Sequence, residues 1–315
     1  SHRDALDQGL ALHARLDTCC NEAWGRLRGT IERQGELANG LDDAQVVSYE
    51  LVFASAELHA MRAMLDYAVA CGGNDAPLES TMALAFAADA TVKVRHRIDK
   101  VRHAIGIDSA HYCATFEAPA LLDFCRHWLA PEHLAAAGSQ ILKAGNGGRS
   151  LLPEDKQIIA ASFARVAEEV VAPLAERIHR EDLTIPDEIL SAIADMGCFA
   201  LSIPERFGGT APDGGHDNLA MVVVTEELSR GSLAAAGSPL TRPEIMARAL
   251  LAGGTADQQS RWLPALASGE KLCAISITEP DHGSDVANLK FRGTRVSSGW
   301  QLDGTKTWCT FAGRA

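Results

Sequence analysis

Aromatic residues are scarce in this chain, at 5 % of 315 residues, so its core must be built mostly from Ala, Leu, Val and Ile. No apolar run approaches the ~18 residues that a helical membrane span needs. A basic excess is missing too: 29 Lys+Arg against 41 Asp+Glu leave a net charge of −12. That sign argues against nucleic acid or an anionic membrane as a partner. None of the eight cysteines (Cys19, Cys20, Cys71, Cys113, Cys125, Cys198, Cys273 and Cys309) forms a CxxC pair. A zinc ribbon or thioredoxin-type site is therefore not expected, and no metal is. The thiols read as small core residues of a reduced, cytoplasmic protein. No GxGxxG follows a strand pattern, so no Rossmann phosphate turn is expected. The start, Ser1-His2-Arg3, has neither Met nor a signal-peptide layout and reads as a tag remnant or a cut point.

What is present is ordinary globular material: 47 % hydrophobic, 22 % charged and a length that suggests about two domains. To about residue 144 the pattern is helical. Leu51, Ala54, Leu58, Met61 and Leu65 alternate three and four apart, and Phe86, Ala90, Val94, Ile98, Val101 and Ile105 are each three or four apart, each set on one helical face. Breaks are expected at Asn39-Gly40, Gly72-Gly73-Asn74 and Gly106. With a first helix near 5–37 and a last near 118–143, four antiparallel helices are the simplest packing. His96, His103, His111, His127 and His133 lack the HxxxH or ExxH spacing of bundle metal sites and read as solvated or core-edge imidazoles.

Gly145-Asn146-Gly147-Gly148-Arg149-Ser150 reads as a linker between a 1–144 helical extension and a second helical domain, 151–265. There Ile159, Phe163, Val166, Val170 and Leu174 form one stripe, Pro186 starts a short helix and Gly197 ends it, and a helix spans about 218–231. Thr241-Arg242-Pro243-Glu244 and Thr255-Ala256-Asp257-Gln258 both fit a capping box. From about 266 the period changes. A strand buried on both faces is predicted over 272–277, a hairpin over 290–302 around Ser297-Ser298-Gly299, and another strand over 306–310, as the beginning of a β-domain (266–315).

Residues 277–285 read Ile-Thr-Glu-Pro-Asp-His-Gly-Ser-Asp, and residues 302–310 read Leu-Asp-Gly-Thr-Lys-Thr-Trp-Cys-Thr. The pair resembles the flavin signature of the acyl-CoA dehydrogenase family, T-E-P-x-x-G-S-D followed by N-G-x-K-x-W-I-T. Upstream, the Ile203–Gly209 loop, Glu226-Glu227-Leu228 and the Gly254–Leu263 spacing resemble the same family's helical domain. The resemblance covers about 151–315. Asp303 stands where the family usually has Asn, and Cys309 where it often has Ile; both suit the local structure.

The resemblance implies a mainly α fold: a helical-bundle extension, the family's N-terminal helical domain and the start of its middle β-barrel-like domain. It implies FAD, contacted by Ile275, Ile277, Thr278, Gly283, Ser284, Trp308 and Thr310, with Ser284 also on the acyl thioester. Trp308 and Thr310, two apart on one strand, would share a face. The implied reaction is α,β-dehydrogenation of an acyl-CoA, in which a carboxylate base takes the α-proton and the β-hydrogen leaves as hydride. Electrons would pass to an electron-transfer flavoprotein. Glu279 is declined as the base, since the motif gives it a structural role; the base Glu is expected beyond Ala315, and the fragment alone is expected to be inactive. The extension narrows the resemblance to a member acting on a carboxylate-bearing acyl-CoA, with Arg242 as the candidate cation. It also suggests a blocked tetramer face and a homodimer. Another short or branched acyl-CoA dehydrogenase, an acyl-CoA oxidase and a non-catalytic helical interaction protein are the competing readings.

Overall fold

The computed structural model describes residues 1–34, 37–213, 215 and 217–315, and the chain forms two compact units, Ser1–Leu151 and Leu152–Ala315. The first unit contains α1 (His2–Gln34), α2 (Leu37–Asp43), α3 (Gln45–Ala70), α4 (Pro77–Val101), α5 (Ser109–Phe116), α6 (Pro119–Trp128) and α7 (Pro131–Ala144). Leu6 and Leu16 of α1, the 51–65 stripe of α3 and Leu84, Val94 and Ile98 of α4 are fully buried. Each large aliphatic so buried contributes about 1.5–3 kcal/mol, which is why these three long helices pack together. In the α4 stripe only Phe86 stays partly exposed.

Two expectations for this unit are corrected. The helix predicted over 118–143 is two helices, because Pro131 opens α7 at its first turn and lacks the N–H that a continuous helix would need. The break predicted at Asn39-Gly40 is not one, because α2 runs through both residues. A Cβ on Gly40 would lie 2.5 Å from Ile31 Cγ2, so this glycine serves a close approach to α1. The predicted end of the first helix near 37 adjoins residues 35–36, which lie outside the described residues.

The glycine-rich segment after α7 is not a free tether. The Arg149 N–H donates to Glu79 Oε1 (2.9 Å), and its guanidinium donates to the carbonyls of Cys71 (3.2 Å) and Asp75 (2.7 Å). The Tyr67 hydroxyl donates to the Arg149 carbonyl (2.8 Å).

The second unit contains α8 (Glu154–Val166), a π-helical turn (Ala167–Val171), α9 (Ala172–Arg180), α10 (Asp187–Asp195), α11 (Asn218–Ser232), a second π turn (Leu233–Gly237), α12 (Thr241–Gly253) and α13 (Ala256–Ala267). The π turn before Pro173 lets the chain stay helical where the proline supplies no donor. Phe163, Val171, Ile189, Ile193, Val224 and Leu228 form one core cluster, and Ile203, Ala247, Leu263 and Leu266 a second.

The two capping boxes differ. Thr255 accepts from the Gln258 N–H (3.2 Å), and the Gln258 side chain accepts from the Thr255 N–H (2.9 Å). At α12 no box forms. Leu240 already has helical angles, Thr241 donates back to the Ser238 carbonyl (2.8 Å), and Glu244 pairs with Arg248.

The β region is smaller than expected. β1 (Arg292–Val296) and β2 (Gly299–Asp303) form the predicted hairpin in the register Arg292↔Asp303 to Val296↔Gly299. The predicted strands over 272–277 and 306–310 do not form. They meet through one backbone bond, Thr307 N–H to the Thr278 carbonyl (2.9 Å), and a strand exists only as a ladder of such bonds. In the first of them Cys273 is buried, while Ser276 and Ile277 are exposed. In the second, Trp308 has φ 59°, in the left-handed region, so Trp308 and Thr310 do not share a strand face.

Candidate functional site

The site residues expected from the motifs all lie in the second unit, on three loop segments. The segments are stapled by Glu279. This side chain is 7 % exposed and accepts from the backbone N–H groups of Lys290 and Phe291 (2.8 Å each) and from Lys306 Nζ (2.9 Å). Lys306 also donates to the Ile277 carbonyl (2.7 Å) and lies 5.3 Å from the centroid of the Phe291 ring. The Lys290 amide, then the Lys306 ammonium and the Phe291 amide, hold the Glu279 carboxyl down at about 2, against the desolvation that raises it. So weak a base, with its oxygens engaged, is unsuited to removing a proton near neutral pH. The sequence reading does not single out Lys306, although it stands in the second motif two residues before Trp308.

Around this staple the candidates take different positions. Ile275, Thr278 and Thr310 are half-buried. Ile277 is 48 % exposed and Trp308 89 % exposed. Gly283 and Ser284 lie on an exposed turn, where a Cβ on Gly283 would meet nothing closer than Thr278 Cγ2 at 3.8 Å. Cys309 Sγ lies 3.0 Å from Ser276 Oγ.

Arg242, in the first turn of α12, is brought to the same place. Its Nη2 donates to Thr310 Oγ1 at 3.1 Å. A cavity of 410 Å³ opens beside Thr310, lined by Leu183–Ile185 and Cys309–Arg314. Arg314 closes one side by bonding to the Ile185 carbonyl and the Asp187 carboxylate.

The other family-like motifs are structural. Leu228 and Leu263 are fully buried, and Gln258 completes the α13 cap. In the Ile203–Gly209 loop, a Cβ on Gly209 would sit 1.7 Å from the Ile203 carbonyl oxygen, so only glycine fits there. Among the described residues, no cluster of His, Cys, Asp and Glu could hold a metal ion, all eight cysteines are free, and no helix is long and apolar enough to cross a membrane.

Residues 153–270 match the acyl-CoA dehydrogenase N-terminal domain. A (2S)-methylsuccinyl-CoA dehydrogenase from Cereibacter sphaeroides is 47 % identical over 167 residues, covering 53 % of this chain and 30 % of the relative. A mitochondrial 2-methylacyl-CoA dehydrogenase from Solanum tuberosum is 35 % identical over 51 % of this chain and 38 % of its own length. The chain thus spans well under half the length of these relatives. A glutaryl-coenzyme A dehydrogenase solved with glutaryl-CoA is 30 % identical over 53 % of this chain and 42 % of that one, with a TM-score of 0.49. Over residues 153–270 the chain matches the N-terminal domain of the acyl-CoA dehydrogenase family, and its second half, which carries both motifs, is similar to members of that family.

Proposed function

We propose that this protein serves the FAD-dependent α,β-dehydrogenation of a carboxylate-bearing acyl-CoA, methylsuccinyl-CoA to mesaconyl-CoA, a step of the ethylmalonyl-CoA pathway. The electron acceptor in this reading is an electron-transfer flavoprotein, and the assembly is a homodimer. The observation that carries it is the meeting of Arg242 with Thr310 across 68 residues of sequence, which sets a cation beside a candidate cofactor contact. The similarity to a methylsuccinyl-CoA dehydrogenase supports the same substrate.

The residues present fit FAD, which combines a wide apolar ring with an anionic pyrophosphate. Exposed Trp308 and Ile277 offer apolar surface that the chain itself leaves uncovered. The exposed Gly283-Ser284 turn offers backbone amides and a hydroxyl, with no Cβ at 283 to hold a phosphate oxygen away. Thr278 and Thr310 add hydroxyls at half-buried positions. When bound, FAD supplies the acceptor for the hydride that leaves the β-carbon.

This chain's own residues bind and orient. Ser284 donates to the thioester carbonyl, and that bond strengthens as enolate character develops and so makes the weakly acidic α-proton removable. Arg242 pairs with the distal carboxylate of the acyl group. Its planar fork has five donors, so one bond to Thr310 leaves room for a carboxylate.

The test is a titration of the FAD-loaded protein with methylsuccinyl-CoA and, in parallel, butyryl-CoA, followed by the perturbation of the flavin spectrum. Methylsuccinyl-CoA is expected to bind more tightly, and Arg242→Gln to weaken it by about 10- to 100-fold, the range of a charge-assisted bond, with butyryl-CoA little changed. Equal loss for both ligands overturns the role of Arg242, and absence of any flavin binding overturns the cofactor. A tetramer by solution mass overturns the dimer.

A further inference from the structure

We propose that Arg242 is a positioning residue for the cofactor as well as a contact for the acyl carboxylate: through the Thr310 hydroxyl it favours the reduced form of the flavin. This rests on the FAD reading above and adds a link between the substrate end of the pocket and the cofactor.

The argument begins with hydrogen-bond capacity. A guanidinium only donates, so in the 3.1 Å contact between Arg242 Nη2 and Thr310 Oγ1 the hydroxyl must accept. A threonine hydroxyl has one proton. With one of its two lone pairs committed to Arg242, that proton is directed away from the guanidinium, and the hydroxyl is biased towards donating on its other side. A group that would otherwise rotate freely is thereby oriented before the cofactor arrives, so less reorganisation is needed when charge develops.

Charge is the second element. Arg206, Arg230, Arg248 and Arg314 of the same unit each pair with a carboxylate. Among the described residues, Arg242 has no carboxylate within ion-pair distance, and it is half-buried, where its field is screened less than on the surface. Its reach shows at the buried Cys273, whose thiol is pushed up by burial and pulled back by the charge of Arg242. Hydride transfer moves two electrons and one proton, and with the α-proton taken separately by a base the flavin ring gains one negative charge. A cation one hydroxyl away, acting through a donor aimed by that cation, stabilises the charged product more than the neutral reactant.

The experiment is the midpoint potential of the FAD-loaded protein, measured by equilibration with a reference dye, beside the dissociation constant of oxidised FAD. Arg242→Gln is expected to lower the preference for reduced over oxidised flavin by about tenfold, equivalent to about 30 mV in a two-electron couple. Thr310→Val is expected to shift the potential in the same direction, and the double variant to shift it no further than the larger single change. Thr310→Ser, which keeps the hydroxyl, restores the parent potential, and Arg242→Lys recovers part of it. An unchanged potential in Arg242→Gln that still binds FAD overturns the proposal and leaves the cofactor reading intact, as do shifts that simply add in the double variant. A parent protein that binds no FAD overturns both.

Discussion

His13 is a buried histidine of the first unit, and nothing in its sequence spacing marks it as buried. It lies 9 % exposed on α1, with Nε2 3.1 Å from the Leu58 carbonyl. A carbonyl only accepts, so this nitrogen carries the proton. Burial, the main cause, pushes its pKa below the usual value of 6.5, while Asp17 and the Leu58 carbonyl act the other way. Unfolding therefore takes up a proton once the pH falls below about 6.5. The stability that neutral His13 contributes is whole above that value and is lost as pH drops toward the lowered pKa. Between pH 7 and 5 the melting temperature of the first unit should fall, and His13→Gln should flatten that slope; an unchanged slope removes His13 as its cause. Gly40 makes a second residue-level case. Gly40→Ala would gain about 1 kcal/mol of helix propensity. The 2.5 Å overlap with Ile31 Cγ2, on a β-branched stem with little freedom, should cost more, about 1–3 kcal/mol. Thermal melts of Gly40→Ala should show net destabilisation, and Ile31→Ala in the same chain should remove the clash, giving a non-additive cycle.

At the scale of the element, what was legible depended on whether the determining contact is local. Pro186 before α10, Gly197 after it and the Gly299 turn of the hairpin act within a few residues, and the structure agrees at each. The strands over 272–277 and 306–310 depend on partners that no local pattern supplies, and there the reading fails. The Thr241 and Thr255 boxes look alike in sequence; they differ because the second π turn delivers the chain to α12 already helical. Thr255→Ala should accordingly cost about 1 kcal/mol, the usual value of an N-cap, and Thr241→Ala should lack that capping loss, both measured by denaturant unfolding. Of the candidate site, the residue types and their grouping in one unit were legible, as was the structural role of Glu279. The Arg242–Thr310 bond was not, since it joins positions 68 apart. The latch at Arg149 was equally hidden, because glycine-rich sequence reads as tether. Clamped by Glu79, Tyr67 and two carbonyls, the backbone at Arg149 should resist trypsin. Glu79→Ala should open the 149–150 bond to cleavage at a rate several-fold above the parent; equal rates show that the latch does not hold in solution.

At the scale of the molecule, the two units have separate cores, and the candidate cofactor contacts all belong to the second. A ligand stabilises only the cooperative structure it binds, by RT ln(1 + [L]/Kd), about 2.7 kcal/mol at a hundredfold excess over Kd. FAD should therefore act unequally on the two. Calorimetry of the whole chain should show two transitions, one of them unmoved by FAD and the other raised by several degrees. His13→Gln supplies the assignment: its pH effect should fall on the transition that FAD leaves alone, and Trp308→Ala should reduce the shift of the other. If one transition moves as a whole with FAD, the units unfold together. If the moving transition is the one sensitive to His13, the cofactor sits on the helical extension and the assignment to the two motifs is wrong.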